Sequence, residues 1–153
     1  MKIKIGNYPT HRWYHNWLYD KFGYSPKPKM SVKIDEWDTW SMDHTLAPII
    51  LPMLVQLKET KHGAPNVDMH DVPRELRATK AQLKKYGKDG DVDPNHFARW
   101  DWILNEMIYA FDCKLNKDDV YMRFEDPDKI REEQGRISNG FQLFGKYYEN
   151  LWD

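Results

Sequence analysis

Six side chains in this 153-residue sequence stand out as candidates to hold a metal ion or move protons: Asp43, His44, His62, His96, Asp101 and Glu106. Carboxylates and imidazoles ligate metals, and imidazole also titrates near neutral pH. Asp43-His44 is the most reactive-looking pair. Neighbours on a helix point about 100° apart, however, so the two cannot easily serve one site. A composite site would need His44 and His96 brought together from two helices. A small metal-dependent hydrolase or nucleotide-processing enzyme would draw on residues 43–44, 62 and 96–106. The plainer reading is structural: Asp43 is a first-turn acid facing the positive end of a helix dipole. Asp101 and Glu106 would then pair with Lys or Arg of neighbouring helices. No HExxH or ExxH spacing favours the metal.

Other groups with chemical promise have weaker spacing. Asp89, Asp91 and Asp93 alternate like the opening of a calcium loop. The glycine needed at the sixth position is Pro94, and the twelfth position is Trp100 rather than Glu, so a helix-capping turn is the stronger expectation. His70-Asp71 is an isolated dipeptide, without the further His and Asp that a hydrolase of that type needs. There is no phosphate loop, dinucleotide fingerprint or GxSxG elbow, and no motif requires a cofactor. Cys113, the single cysteine, has no internal disulfide partner and sits near the C-terminal end of an expected helix, where the dipole does not favour a thiolate. An inert thiol and a reducing compartment follow as expectations.

The elements that would position these groups are mostly helical. WDTWSMDHTLAPIILPML, residues 37–54, opens a helix with Ser41 as N-cap and Leu46, Ile49, Ile50, Met53 and Leu57 as its stripe. Ala47, Leu51, Leu54 and Val55 widen that stripe, which predicts a central helix. Pro48 and Pro52 project with Thr45, Gln56 and Glu59 to one expected outer side. Each removes a backbone hydrogen bond, which predicts curvature and freed carbonyls. Gly63 and Pro65 stop the helix.

PRELRATKAQLKKYG predicts a polar helix anchored by Leu76 and Leu83 and ended by Gly87. A third strong helix starts near Pro94, with Phe97, Trp100, Leu104, Met107, Ile108 and Phe111 on its apolar face. A last helix spans about 128–151, with Ile130, Ile137, Phe141, Phe144, Tyr148 and Leu151 inward. Its apolar phase survives Gly135, Gly140 and Gly145, which favours one helix. Gly140 and Gly145 at the margins of that face predict close approach by a neighbour. Near the N-terminus, KIKI (2–5) and SVKID (31–35) alternate as strands. Between them lies a short helix capped by Thr10 and ended by Gly23, with Trp13, Trp17, Leu18 and Phe22 as its apolar set. SPKPK, with Pro26 and Pro28, is an extended connector.

Charge is balanced, 23 Lys plus Arg against 24 Asp plus Glu, which argues against a dedicated nucleic-acid binder. The start lacks the apolar core of a signal peptide, and no apolar run reaches membrane-spanning length. Seven Trp, nine Tyr and six Phe suit either a core or a protein interface.

VKIDEWDTWSMDHTLAPIILPMLVQLKETKHGAP, HFARWDWILNEMIYAF and RISNGFQLFGKYYENLWD, together with KIKIGNY, resemble a family of uncharacterised proteins of tailed bacteriophages, many of them marine. The resemblance covers most of the chain and is weakest at residues 66–93 and 114–130. It implies a viral protein in the host cytoplasm and transfers no activity, ligand or site residue.

The expected fold is mainly α (α+β), a compact single domain over 1–153. Residues 1–36 would form a two-stranded β ribbon with a short helix, and 37–153 a helical core. The expected function is that of a non-enzymatic phage accessory protein acting on a host or phage protein, with no membrane contact and a homo-oligomer allowed. The alternatives are the metal-dependent enzyme and a virion or assembly component.

Overall fold

The computed structural model describes residues 2–4, 12–25, 27, 31–86, 91–117 and 119–152. The chain forms two compact units, Met1–Thr45 and Leu46–Asp153. Helices dominate both.

In the first unit, β1 (Lys2–Lys4) pairs antiparallel with β2 (Ser31–Lys33), in the register Lys2 to Lys33, Ile3 to Val32 and Lys4 to Ser31. Three residue pairs make a short clip rather than a layer of the fold. Helix α1 (Trp13–Phe22) starts after Arg12, whose backbone N–H donates to His15 Nδ1 at 3.0 Å. The expected cap Thr10 and the connector prolines Pro26 and Pro28 lie outside the described residues. Gly23 ends α1 with φ 63°, a left-handed conformation that glycine adopts without steric cost.

The expected inward set of α1 is not buried. Trp13 is 86% exposed, Trp17 and Phe22 are also exposed, and the buried residue is His15. The aromatics contact one another instead, Trp17 edge-on to Phe22 and Trp37 stacked on Trp40. A 3₁₀ turn, Glu36–Thr39, follows β2. Asp35 Oδ1 accepts from the Trp37 N–H, and Asp38 Oδ2 accepts from the Asp35 N–H.

Helix α2 (Met42–Thr60) runs across the division between the units. The Thr45 N–H donates to the Ser41 carbonyl at 3.0 Å, which puts Ser41 at the N-cap position. Pro48, Pro52, Gln56 and Glu59 are exposed, as their projection predicts, whereas Thr45 of the same expected set is partly buried.

The second unit holds the core: Ala47, Leu54, Val67, Val72, Trp100, Ile103, Leu104, Met107, Phe111, Leu143 and Tyr147. Its central element is α4 (His96–Asn116), with ten buried residues, whereas α2 buries only Ala47 and Leu54. This corrects the expectation that α2 is the central helix. The stripe of α2 is also displaced. Leu46 and Met53 are exposed, and the buried line runs through Ala47 and Leu54, with Ile50, Leu51 and Leu57 partly covered. The reason is polar pairing. The flank of α4 bearing His96, Arg99 and Glu106 finds partners for its charges, so this helix can be buried on two sides. Trp100, Ile103, Leu104 and Met107 are fully buried, each stabilising the fold by about 1.5–3 kcal/mol. Phe97, expected inward, is half exposed.

Helix α6 (Pro127–Lys146) is continuous through Gly135 and Gly140. Gly140 is buried against α4: a Cβ there would lie 2.6 Å from the Ala110 Cβ and closer still to the Glu106 carbonyl oxygen. A Cβ at Gly145 would meet nothing, so close approach explains one glycine and not the other. The fully buried apolar residue of α6 is Leu143, followed by Tyr147 just after its end. The expected set including Phe141, Phe144 and Leu151 is only partly covered, and Tyr148 is exposed.

The polar helix expected from Pro73 is interrupted. A 3₁₀ turn, Arg74–Leu76, gives way to extended Arg77, and α3 spans only Lys80–Tyr86. Thr79 and Gln82 cap α3 reciprocally: Gln82 N–H donates to Thr79 Oγ1 at 3.2 Å, and Thr79 N–H to Gln82 Oε1 at 2.8 Å. Leu76 packs on the core, but Leu83 is 52% exposed and anchors nothing. The expected stop Gly87 lies outside the described residues, as does Asp89. A short helix α5 (Val120–Arg123), capped by Asp119, links α4 to α6.

Candidate functional site

The six candidate residues are divided between the two units. Asp43 and His44 belong to the first unit and are exposed on the first turn of α2. His62 is exposed just beyond the end of α2. His96 is buried, and its Nε2 lies 3.0 Å from the Ala64 carbonyl oxygen, so that nitrogen carries the proton. Asp101 pairs with Lys61 at 2.6 Å. Glu106 receives Arg136 Nε and Nη2 at 2.9 and 2.8 Å. Glu106 thus pairs with an Arg of a neighbouring helix, as expected, and Asp101 with a Lys one residue past the end of α2. Among the described residues, no group of three His, Cys, Asp or Glu side chains is placed to hold a metal ion.

Three charged clusters escaped the sequence reading. In the first, Asp93 of the aspartate run is buried and holds Arg99 through two hydrogen bonds, at 2.9 and 2.5 Å. Its Oδ1 also accepts from the Asn95 N–H at 3.0 Å, and the Arg99 hydrogen bonds keep its carboxyl below the ordinary value of 3.8.

In the second, Tyr147 donates to Asp71 at 2.6 Å and accepts from the Asp68 N–H at 2.9 Å. Lys146 bridges Asp68 and Asp71 and is held above its ordinary value, chiefly by Asp71. Asp71, one half of the His70-Asp71 dipeptide, is thus a tie between the 61–79 loop and the end of α6.

In the third, Tyr109 donates to Glu133, which also accepts from Arg123 at 2.9 Å. Arg136 and Lys117 lie 3.7 and 4.1 Å from the centre of the Tyr109 ring, and Lys117 Nζ is 3.5 Å from Cys113 Sγ. Burial and the Glu133 hydrogen bond push the Tyr109 hydroxyl up to about 12. Burial acts to raise Glu133 too, but the hydrogen bonds from Tyr109 and Arg123 outweigh it and leave Glu133 lowered. A proton shuttle near neutral pH needs both groups poised there, and these two are driven apart. The cluster joins α4, α5 and α6. Its signal in the sequence was the i, i+4 row Tyr109, Cys113 and Lys117; its partners Arg123 and Glu133 come from other elements.

One concave feature of the second unit is apolar. A groove of about 1030 Å³ lies between α2 and the C-terminal segment. Leu46, Ile50, Met53, Leu57 and Thr60 line it from α2, and Phe144, Tyr148, Leu151 and Trp152 from the end of the chain. Met53, Tyr148 and Trp152 are 58%, 65% and 67% exposed. The remaining lining residues are Pro52, Leu54 and Gln56, so none of the twelve is charged. Part of the apolar excess of α2 that sequence reading assigned to the core is the wall of this groove. Among the described residues, no helix is long and apolar enough to cross a membrane.

No protein-family model, curated protein or solved structure matches the chain.

Proposed function

We propose that the chain is a non-enzymatic accessory protein of a tailed bacteriophage, acting through protein contacts made by the groove. The observation that carries this reading is the uncharged groove itself, rimmed by large apolar side chains that remain more than half exposed. Exposed apolar patches of this kind mark interaction surfaces. A second support is the state of the charged clusters: Asp93, Asp71, Glu106 and Glu133 are each held by a cation or a tyrosine hydroxyl. The phage origin rests on the sequence resemblance alone.

The test is cross-linking in infected host cells with the tagged wild-type chain and a Met53→Asp variant. A protein captured by the first and lost with the second supports the reading. Identical captures for both would remove it. Elemental analysis of the purified protein tests the metal-enzyme alternative, which a stoichiometric bound metal would favour.

A further inference from the structure

We infer that the first unit binds single-stranded nucleic acid, with bases stacked on the exposed rings of α1 and phosphates held by Lys and Arg. The inference is independent of the groove reading, because the groove belongs to the second unit.

The charge balance of the whole chain hides a segregation. Residues 1–34 hold seven Lys and Arg against one acid, Asp20, whereas the remaining residues hold sixteen against twenty-three. Charge asymmetry of this kind points to nucleic acid or a membrane surface. Arg12, Lys21, Lys27 and Lys33 are exposed, and none of them is in an ion pair among the described residues. Asp20 is exposed as well, three residues from Trp17, and is outnumbered by Arg12 and Lys21 at the two ends of α1. The other acids of the unit, Asp35, Glu36, Asp38 and Asp43, fall in one stretch beyond Lys33, and Asp38 and Asp43 have partners of their own. That stretch flanks the Trp37–Trp40 stack, which is therefore left out of the site.

Helix α1 supplies the stacking surface. Trp13, Trp17 and Lys21 succeed one another at four-residue intervals, so they form one row on the helix. All three are exposed, and Lys21 Nζ lies 5.0 Å from the centre of the Trp17 ring. Phe22 and Tyr24 add further exposed rings at the end of the helix. Rings alternating with cations suit a single strand, which offers a ring the flat face of a base and offers a cation the phosphate beside it. In a duplex those faces are already covered by neighbouring bases. Other partners suit the row less. Protein interfaces are depleted in Lys, which here stands within the row. A bilayer would have to take in the Lys21 ammonium together with the rings, and the aliphatic Leu18 is partly buried rather than presented.

The experiment follows fluorescence polarisation of dye-labelled oligothymidylate and oligouridylate, each of about twenty nucleotides, with the full chain. Binding of either strand is expected, and the preferred one tells DNA from RNA. Affinity should fall at least tenfold from about 50 to about 200 mM salt, the slope of about three neutralised phosphates. Trp13→Ala/Trp17→Ala should weaken binding at least tenfold at constant salt. Lys21→Glu/Lys33→Glu should weaken it at low salt and flatten the salt dependence. Thermal melts check that both variants fold, and Trp13→Ala alone, at the most exposed ring of α1, replaces the first if it does not. No binding of either oligonucleotide at low salt would overturn the inference. So would equal binding of duplex DNA or inorganic polyphosphate, unchanged affinity in the ring variant, or tighter binding to phosphatidylserine vesicles. Failure of the groove reading is separate: it appears in infected cells as no captured partner that depends on Met53.

Discussion

Arg136 on α6 grips the carboxylate of Glu106 on α4 with two parallel hydrogen bonds, and one turn later Gly140 packs against the backbone of the same Glu106. Side-chain pairing and backbone approach thus meet at one residue. Glu106 is a component of the α4–α6 seam, which accounts for an acid buried in the middle of an apolar helix.

Gly140→Ala is expected to destabilise the protein by about 1–3 kcal/mol, because the added methyl meets backbone and the Ala110 side chain rather than a movable group. Gly135→Ala and Gly145→Ala, whose Cβ positions are open, should instead stabilise by roughly 0.5–1 kcal/mol through helix propensity. Urea unfolding of the three variants reads the contrast directly. Equal effects at 140 and 145 would contradict the seam.

Arg136→Ala should lower stability by about 1–3 kcal/mol, since it leaves the Glu106 carboxylate nine-tenths buried without its cation. A Glu106→Leu/Arg136→Leu double variant should regain most of that loss, as apolar replacements of buried ion pairs do. Neither variant should change the metal content of the purified protein. A metal lost along with Glu106 would show that this residue does more than pair.

Alkaline titration probes the two tyrosine clusters. Tyr109 and Tyr147 are each pushed up to about 12 in the folded state, burial being the first cause, against an ordinary 10.0. The unfolded chain loses these protons first. Their contribution is therefore whole below pH 10 and is lost as pH rises from 10 toward 12. Tyr109→Phe and Tyr147→Phe should each flatten that limb of the stability–pH curve, with tyrosinate absorbance following the same titration. An unchanged limb in both variants would remove the assignment.

Acid titration probes Asp93. Arg99 holds its carboxyl below 3.8, so the pair's stabilisation is complete above that pH and disappears as pH falls through the lower folded value. Asp93→Asn should lose about 3–5 kcal/mol at neutral pH, because Arg99 is left buried and uncompensated. The variant should also lack the Asp93 part of the acid limb. A variant with full stability at pH 7 would mean that the pair is not what anchors the start of α4.

Helical periodicity alone located α2, α4 and α6, because a 3.6-residue repeat of large apolar groups needs no knowledge of what it packs against. It also read α6 as one helix through its glycines and put Pro48 and Pro52 on an outer side. Local chemistry was legible where partners are near in sequence, as with Gly23 at the end of α1 and Ser41 before α2. Tertiary structure decided the rest. Whether α2 or α4 lies at the centre depends on whether polar flanks find distant partners, and Glu106 finds Arg136 thirty residues away. The same holds for Tyr147 with Asp71 and for Arg123 with Glu133, joined by folding rather than by spacing. The sequence could show that α2 has more apolar surface than one face requires. Only the packed unit shows that the surplus forms a wall of an open groove, because burial depends on what the rest of the chain leaves uncovered.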